Sequence, residues 1–286
     1  VAGGELEVRR TDIRRVVEQA QQLVLPPERE ILQVLVRQFF LDGQDGIKNP
    51  LGLSGLRLEV ETHIVTALSS HLRNSYRAAE LAGVSVVEPV LTALASASAV
   101  LTGQERELGV LLIDIGASVT DWALFESGEV QASGVVPFGG ERVTLDLAVG
   151  LGIHRDTAER VKLGRSEVEQ DPAVEEIVLA RMAELFEWVD AARTRAGASE
   201  VLPGGVVLTG GGSRLLGAAE VALESFGGPV SVRGPDSSVR TGGPDATLSA
   251  AWGLALWGGR STPRRTPGTT FSEWLAASRR RLAKKR

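Results

Sequence analysis

Asp114 ends an apolar run, VLLID, and Gly116, Ala117 and Ser118 follow it before Thr120 and Asp121. A strand that finishes on an acid sets its carboxylate at the carboxyl edge of a sheet, where open α/β sheets bind ligands. The small residues that follow let backbone N–H groups come close to an anion and cradle phosphate oxygens. Asp114 itself would repel a phosphate. Its chemistry is to orient Mg2+ through water, because Mg2+ keeps most of its hydration shell. Thr120 and Asp121 either hold the turn or reach the metal's outer sphere. Taken alone, the stretch is equally a hairpin whose turn happens to be small and polar.

A second turn shifts that balance. LTGGGSRLLG places Gly210, Gly211, Gly212 and Ser213 between an apolar strand and a helix. Glycine costs about 1 kcal/mol relative to alanine in regular structure, so three together mark a place where something must approach. Gly139 and Gly140 head another helix, whose N-terminus also favours anions.

The elements that must position these turns follow from periodicity. Thr11 opens a helix with Ile13, Val16, Val17, Ala20 and Val24, stopped by Pro26 and Pro27. ILQVLVRQFF (31–40) reads as a strand and residues 42–55 as a turn-rich loop. In LRLEVETHI, Leu56, Leu58, Val60, Thr62 and Ile64 alternate with Arg57, Glu59, Glu61 and His63, which predicts a half-buried strand with His63 facing solvent. Residues 69–83 read as a helix ending at Gly83, VSVVEPV as a short strand, and TALASASAVL as a helix of small residues. Residues 110–138 read as strands with a turn at Ser127-Gly128. Asp156 and Glu159 have capping-box spacing, with His154 in the loop ahead. A long helix over 172–196 carries Met182 and Trp188 on its core side, and 246–258 forms a last helix. This alternation predicts an α/β protein with mixed sheets.

Composition excludes other classes. The chain has no cysteine, so disulfides and thiolate metal sites are out, and its three histidines (His63, His71, His154) lack metal-ligand spacing. No apolar run reaches the roughly 20 residues of a spanning helix. Starting at Val1 without a signal pattern, the chain reads as a fragment or a processed product. Net charge is −5, yet residues 258–286 hold nine Lys/Arg and one acid, which leaves −5 − 8 = −13 on the remainder. Such a body offers nucleic acid no broad basic face.

With these motifs in place, the chain resembles the FtsA family of bacterial cell-division proteins, within the actin/Hsp70/sugar-kinase ATPase superfamily. DIGASVTD is similar to the second phosphate motif, LTGGGSRLLG to the adenosine motif and DATLSAAWGLAL to the second connecting helix. DGQDGIKNPLGLSGLRLEVETHIVT resembles the subdomain specific to FtsA.

The resemblance implies an actin-like ATPase fold of two ribonuclease H-like halves, the first incomplete and carrying an inserted subdomain. The implied divisions are 1–66 (inserted subdomain), 67–108 (rest of the first half) and 109–257 (second half, with a shortened outer subdomain near 163–200). A linker (258–270) and an amphipathic segment (271–286) follow. It further implies an ATP–Mg2+ cleft, with Asp114 on the metal and Gly116, Ala117, Ser118 and Thr120 at the phosphates together with Gly139 and Gly140. Glu159 and Lys162 would reach the ribose and adenine, and Gly210, Gly211, Gly212 and Ser213 would lie along the nucleoside. The family's first phosphate motif is missing, and Ala117, Ser118 and Val119 stand where the family has glycine or threonine. Weak ATP binding and negligible turnover are therefore expected.

The tail reads FSEWLAASRRRLAKKR. Phe271, Trp274, Leu275, Ser278 and Leu282 share one helical stripe, flanked by Arg280, Arg281, Lys284 and Lys285. That is the pattern of a helix lying in an anionic membrane surface. The expectation is a peripheral protein on the cytoplasmic side of the membrane that self-associates into filaments and takes the C-terminal peptide of FtsZ at the division site. A chaperone- or kinase-type ATPase and a pilus-assembly adaptor are the alternatives. No catalytic base stands out for a kinase.

Overall fold

Two sheets organise the chain in a computed structural model that describes residues 7–165, 171–199, 201–235 and 245–261. The first unit holds α1 (Arg10–Ala20), β1 (Arg29–Leu41), β2 (Gln44–Ile47) and β3 (Leu58–Leu68), with antiparallel strand order β2-β1-β3. The turn into β2 uses Asp42 (φ 51°) and Gly43 (φ 86°), the left-handed pair that tight hairpins need. The stretch expected to be loop therefore contains a strand. Its residues, QDGI, are too polar to show as one.

After α2 (Ser69–Leu81), an extended segment leads to α3 (Thr92–Val100) and α4 (Gly103–Leu108). Thr102 and Glu105 cap α4 reciprocally. The second sheet is built from β4 (Val110–Ile115), β5 (Thr120–Glu126), β6 (Glu129–Val136), β7 (Val206–Thr209) and β8 (Val230–Val232). Its order is β6-β5-β4-β7-β8, antiparallel across β4, β5 and β6 and parallel across β4, β7 and β8. This is the expected mixed α/β arrangement. Ser127 (φ 54°) and Gly128 (φ 81°) make the β5–β6 turn.

Helices cover both faces of this sheet. On one side α5 (Gly140–Gly150), α6 (Arg155–Lys162), α7 (Pro172–Arg195) and α8 (Ala218–Phe226) bury Leu111, Ile113, Leu147, Met182, Phe186 and Leu208 in a single cluster. On the other, α3 packs on Val110, Leu112, Phe125 and Val207, and α9 (Ser249–Ser261) packs on α3. A Cβ at Gly253 of α9 would sit 1.7 Å from the Ala95 carbonyl oxygen, so the two helices meet at their backbones.

Several expectations fail for physical reasons. Leu56 is 83% exposed, and every residue of β3 is half-buried rather than alternating. One face of β3 lies under α1 and the other meets β6. His63 accordingly does not face solvent. Its Nε2 lies 2.8 Å from Ser133 Oγ on β6. VSVVEPV is extended but pairs with no strand among the described residues. The capping box expected of Asp156 and Glu159 does not form. His154, expected in a loop, is the N-cap of α6 and accepts the Asp156 N–H through Nδ1. Met182 is core as expected, but Trp188 is 41% exposed with its ring edge-on to Phe138. Finally α9 continues to Ser261, past the expected start of the linker at 258. The amphipathic stretch with Phe271, Trp274, Leu275, Arg280, Arg281, Leu282, Lys284 and Lys285 lies outside the described residues.

Candidate functional site

Asp114 and Asp121 are direct partners in the β4–β5 ladder and so share one face of the sheet. Both are buried. Asp114 accepts a hydrogen bond of 2.5 Å from Ser96 Oγ on α3. Burial raises the Asp114 carboxyl despite that bond. Burial, and then the charge of Asp114, push Asp121 up to about 6. Two carboxylates thus share a low-dielectric place with no basic side chain bonded to either among the described residues. A divalent cation would relieve that repulsion.

The turn after Asp114 is tied to the helix beyond it. Gly116 C=O accepts the Gly140 N–H at 3.0 Å and Ala117 C=O accepts the Glu141 N–H at 2.7 Å. A Cβ at Gly139 would lie 2.6 Å from both carbonyl oxygens, so glycine is what lets helix and turn touch. Two donors at the N-terminus of α5 are therefore already engaged, which limits the anion-binding role expected there. The N–H groups of Ala117 and Ser118 have no acceptor among the described residues. Ser118 Oγ donates to Glu141, which pairs with Arg155. Thr120 turns inward and donates to the Phe138 carbonyl at 2.8 Å, holding the hairpin rather than facing the cleft.

The opposite wall comes from β7. Gly210 (φ +82°) adopts a left-handed backbone, and a Cβ there would lie 2.3 Å from Asp114 Oδ1. At Gly212 a Cβ would lie 2.3 Å from Ile115 Cγ2. These two glycines press the turn onto the end of β4. Gly211 is different, since a Cβ there meets only Thr247 Cγ2 at 3.7 Å. Ser213 is buried and donates to Gly210 C=O, closing the 3-10 turn Gly211–Arg214.

Between the two turns lies a cleft of about 520 Å3 lined by Gly116, Ala117, Gly140, Glu159, Lys162, Arg165, Gly211, Gly212, Arg214 and Thr247. Lys162 Nζ donates to Glu159 at 2.7 Å, Thr144 at 2.8 Å and Gly140 C=O at 3.1 Å. Burial raises the Glu159 carboxyl, but bonds from Lys162 and Thr144 and the nearby charges of Lys162 and Arg155 outweigh it and leave the group below its ordinary value. Three cations against one carboxylate make the lining net positive. The structure thus gathers Gly116, Ala117, Gly140, Glu159, Lys162, Gly211 and Gly212 on one cavity. Asp114, Gly139, Gly210 and Ser213 sit behind its walls. Ser96, Thr144, Arg165, Arg214 and Thr247 were not singled out from sequence. Ser96 is hidden in a run of small helical residues, and only the spacing Thr144-Glu159-Lys162 across two helices could have signalled Thr144. A cavity of about 580 Å3 between α1 and β3 is larger but has no glycine turn in the approach to it, apart from Gly55 at its rim.

The family description "SHS2 domain inserted in FTSA" matches residues 1–66, and "Cell division protein FtsA" matches 111–253. The chain is 36% identical to the cell division protein FtsA of Pseudomonas aeruginosa, over 90% of this chain and 68% of that protein. It is 37% identical to the FtsA of Borreliella burgdorferi, over 88% and 67%. Among solved structures it resembles the PilM-PilN type IV pilus biogenesis complex (TM-score 0.62, 20% identity, 88% of this chain and 75% of that one). It also resembles MreB 5 of Spiroplasma citri bound to AMPPNP (TM-score 0.50, 16% identity, 67% and 65%). At these identities the structures speak for the fold alone, an actin-like one.

Proposed function

The chain belongs to the FtsA family of cell-division proteins, and we propose that it is a nucleotide-binding adaptor that ties a division filament to the cytoplasmic face of the membrane. The observation that carries the nucleotide half is the cleft. Two glycine turns face each other across it, Ala117 with its unbonded N–H belongs to one wall and Ser118 follows just outside it, and Lys162, Arg165 and Arg214 supply positive charge. The phosphates of ATP would lie at the N–H groups of Ala117 and Ser118, with the engaged N-terminus of α5 behind them and the nucleoside along Gly211 and Gly212. Mg2+, held through water at Asp114 with Asp121 behind it, would neutralise phosphate charge. The strained acid pair fits that role. The fold-related MreB 5 structures are bound to AMPPNP or ADP, which supports a nucleotide as the ligand here.

The membrane half rests on the stripe of Phe271, Trp274, Leu275 and Leu282 with its flanking Arg280, Arg281, Lys284 and Lys285. Self-association into filaments and capture of the FtsZ C-terminal peptide go with the family reading. A pilus-assembly adaptor is the second reading, favoured by the PilM-PilN likeness. The inserted-domain match over 1–66 favours division.

Titration of a fluorescent ATP analogue with Mg2+ tests the cleft. Weak binding without steady phosphate release is expected. Gly211→Val abolishes it by filling the cleft, and Asp114→Ala removes its Mg2+ dependence. Binding unchanged in both folded variants overturns the site.

A further inference from the structure

From Ser249 to Gly259 the helix α9 reads SAAWGLALWGG, apolar all round apart from Ser249, which is buried against Thr209. Helices of that composition are covered on every side or lie in membranes. Among the described residues the side facing α3 is closed, through Gly253, and Leu254 on the Trp257 flank is 47% exposed. Trp257 Nε1 donates to Glu88 at 2.7 Å, which joins α9 to the extended segment before α3. That segment adds Val84, Val86 and Val87, the last 92% exposed, with Leu81 of α2 beside them. The N–H groups of Ser85, Val86 and Val87 have no acceptor among the described residues. A cavity of about 350 Å3 opens there, lined by Tyr76, Glu80, Ser85, Val86, Val87 and Glu88, with Glu80 paired at its edge to the exposed Arg77.

We propose that this surface is the docking place of the chain's own C-terminal segment, residues 271–286, which leaves it for an anionic lipid surface. The exchange with lipid rests on the membrane reading above. The docking rests on three other facts. Nine residues lie between Ser261 and Phe271, a reach of up to about 35 Å when extended. Because α9 ends beside the patch, the tether gives an effective concentration on the order of millimolar. The chemistry is complementary as well. The patch offers valines and the carboxylates of Glu80 and Glu88, and the segment offers an aromatic stripe with six Lys/Arg over 271–286. Lipid and patch would compete for the same residues, Trp274 and Leu275, so the tail cannot serve both at once.

The absence of cysteine allows a clean test. Val87→Cys combined with Ser278→Cys is expected to form an intramolecular disulfide under mild oxidation, since docking brings the two within bonding range. Trp274→Glu in that background should abolish it, and phosphatidylglycerol vesicles should suppress it. No disulfide, or only disulfide-linked dimers, overturns the proposal; dimers would mean that a second copy occupies the patch. Separately, Val87→Asn, which removes the apolar contact without adding charge, should tighten vesicle binding about tenfold if the docked form holds nine-tenths of the population. Unchanged affinity overturns the competition. Should a chain lacking 271–286 bind vesicles as the whole chain does, the membrane reading fails and the exchange with it, while the disulfide alone decides the docking.

Discussion

Every residue of β4 is buried, whereas β3, nearly twice as long, has no buried residue along its length. The five-stranded sheet is sandwiched between helices on both faces and holds the cleft at the ends of β4 and β7. The three-stranded sheet has α1 on one side, itself without a buried residue, and meets the larger sheet mainly through polar pairs. These are Arg37 with Gln131 and His63 with Ser133, around one apolar contact from Leu35, and Lys48 pairs with Glu107 on α4 beside the sheet. Precision in this molecule is concentrated where the ligand would be. The inserted unit is attached by contacts that water can replace.

Unfolding experiments can break that contrast. Phe186→Ala, at a fully buried site, should cost about 3–5 kcal/mol, while Val16→Ala on α1 should cost less than about 1 kcal/mol. Equal losses would mean that both units share one core. Within the cleft, Gly210→Ala forces a side chain into a left-handed backbone and against Asp114, for about 3 kcal/mol. Gly211→Ala beside it should leave denaturant stability nearly unchanged and still weaken nucleotide binding.

Asp121 sharpens the comparison through pH. Its folded carboxyl titrates at about 6 against an ordinary 3.8, so the folded state binds the proton more tightly than the unfolded. Stability is then lost as pH rises from 3.8 through about 6. Asp121→Asn should stabilise the protein at pH 7–8 by about 2 kcal/mol, with the gain gone below about pH 4. Thermal melts across pH measure it, and added Mg2+ should narrow the gap if the pair takes a cation. The smallest effect belongs to the inserted unit's rim, where Lys48→Ala should change stability by less than about 0.5 kcal/mol because both partners are exposed.

Much of the larger sheet was legible because apolar runs and glycine punctuation report burial directly: β4, the Ser127-Gly128 hairpin, β7 and the triple-glycine turn lie where the sequence puts them. The inserted unit read less well. Its strands are half-buried on both faces, so alternation carries no clear direction, and His63 was assigned to the wrong side. VSVVEPV has strand composition, but a strand is defined by its partner, and none is present among the described residues. In the cleft, glycines and acids announced themselves by spacing. Ser96 and Thr144 did not, since a hydroxyl on a helix becomes a site residue only through what a neighbouring element brings to it.

The backbone contact between Gly253 and Ala95 leaves position 253 open to glycine alone. With no side chain between them, there is no slack at this point for α9 to move closer to α3. Ser96, the next residue along α3, grips Asp114. A side chain at position 253 would therefore wedge α3 away and, with it, the hydroxyl that holds the carboxylate beside the cleft.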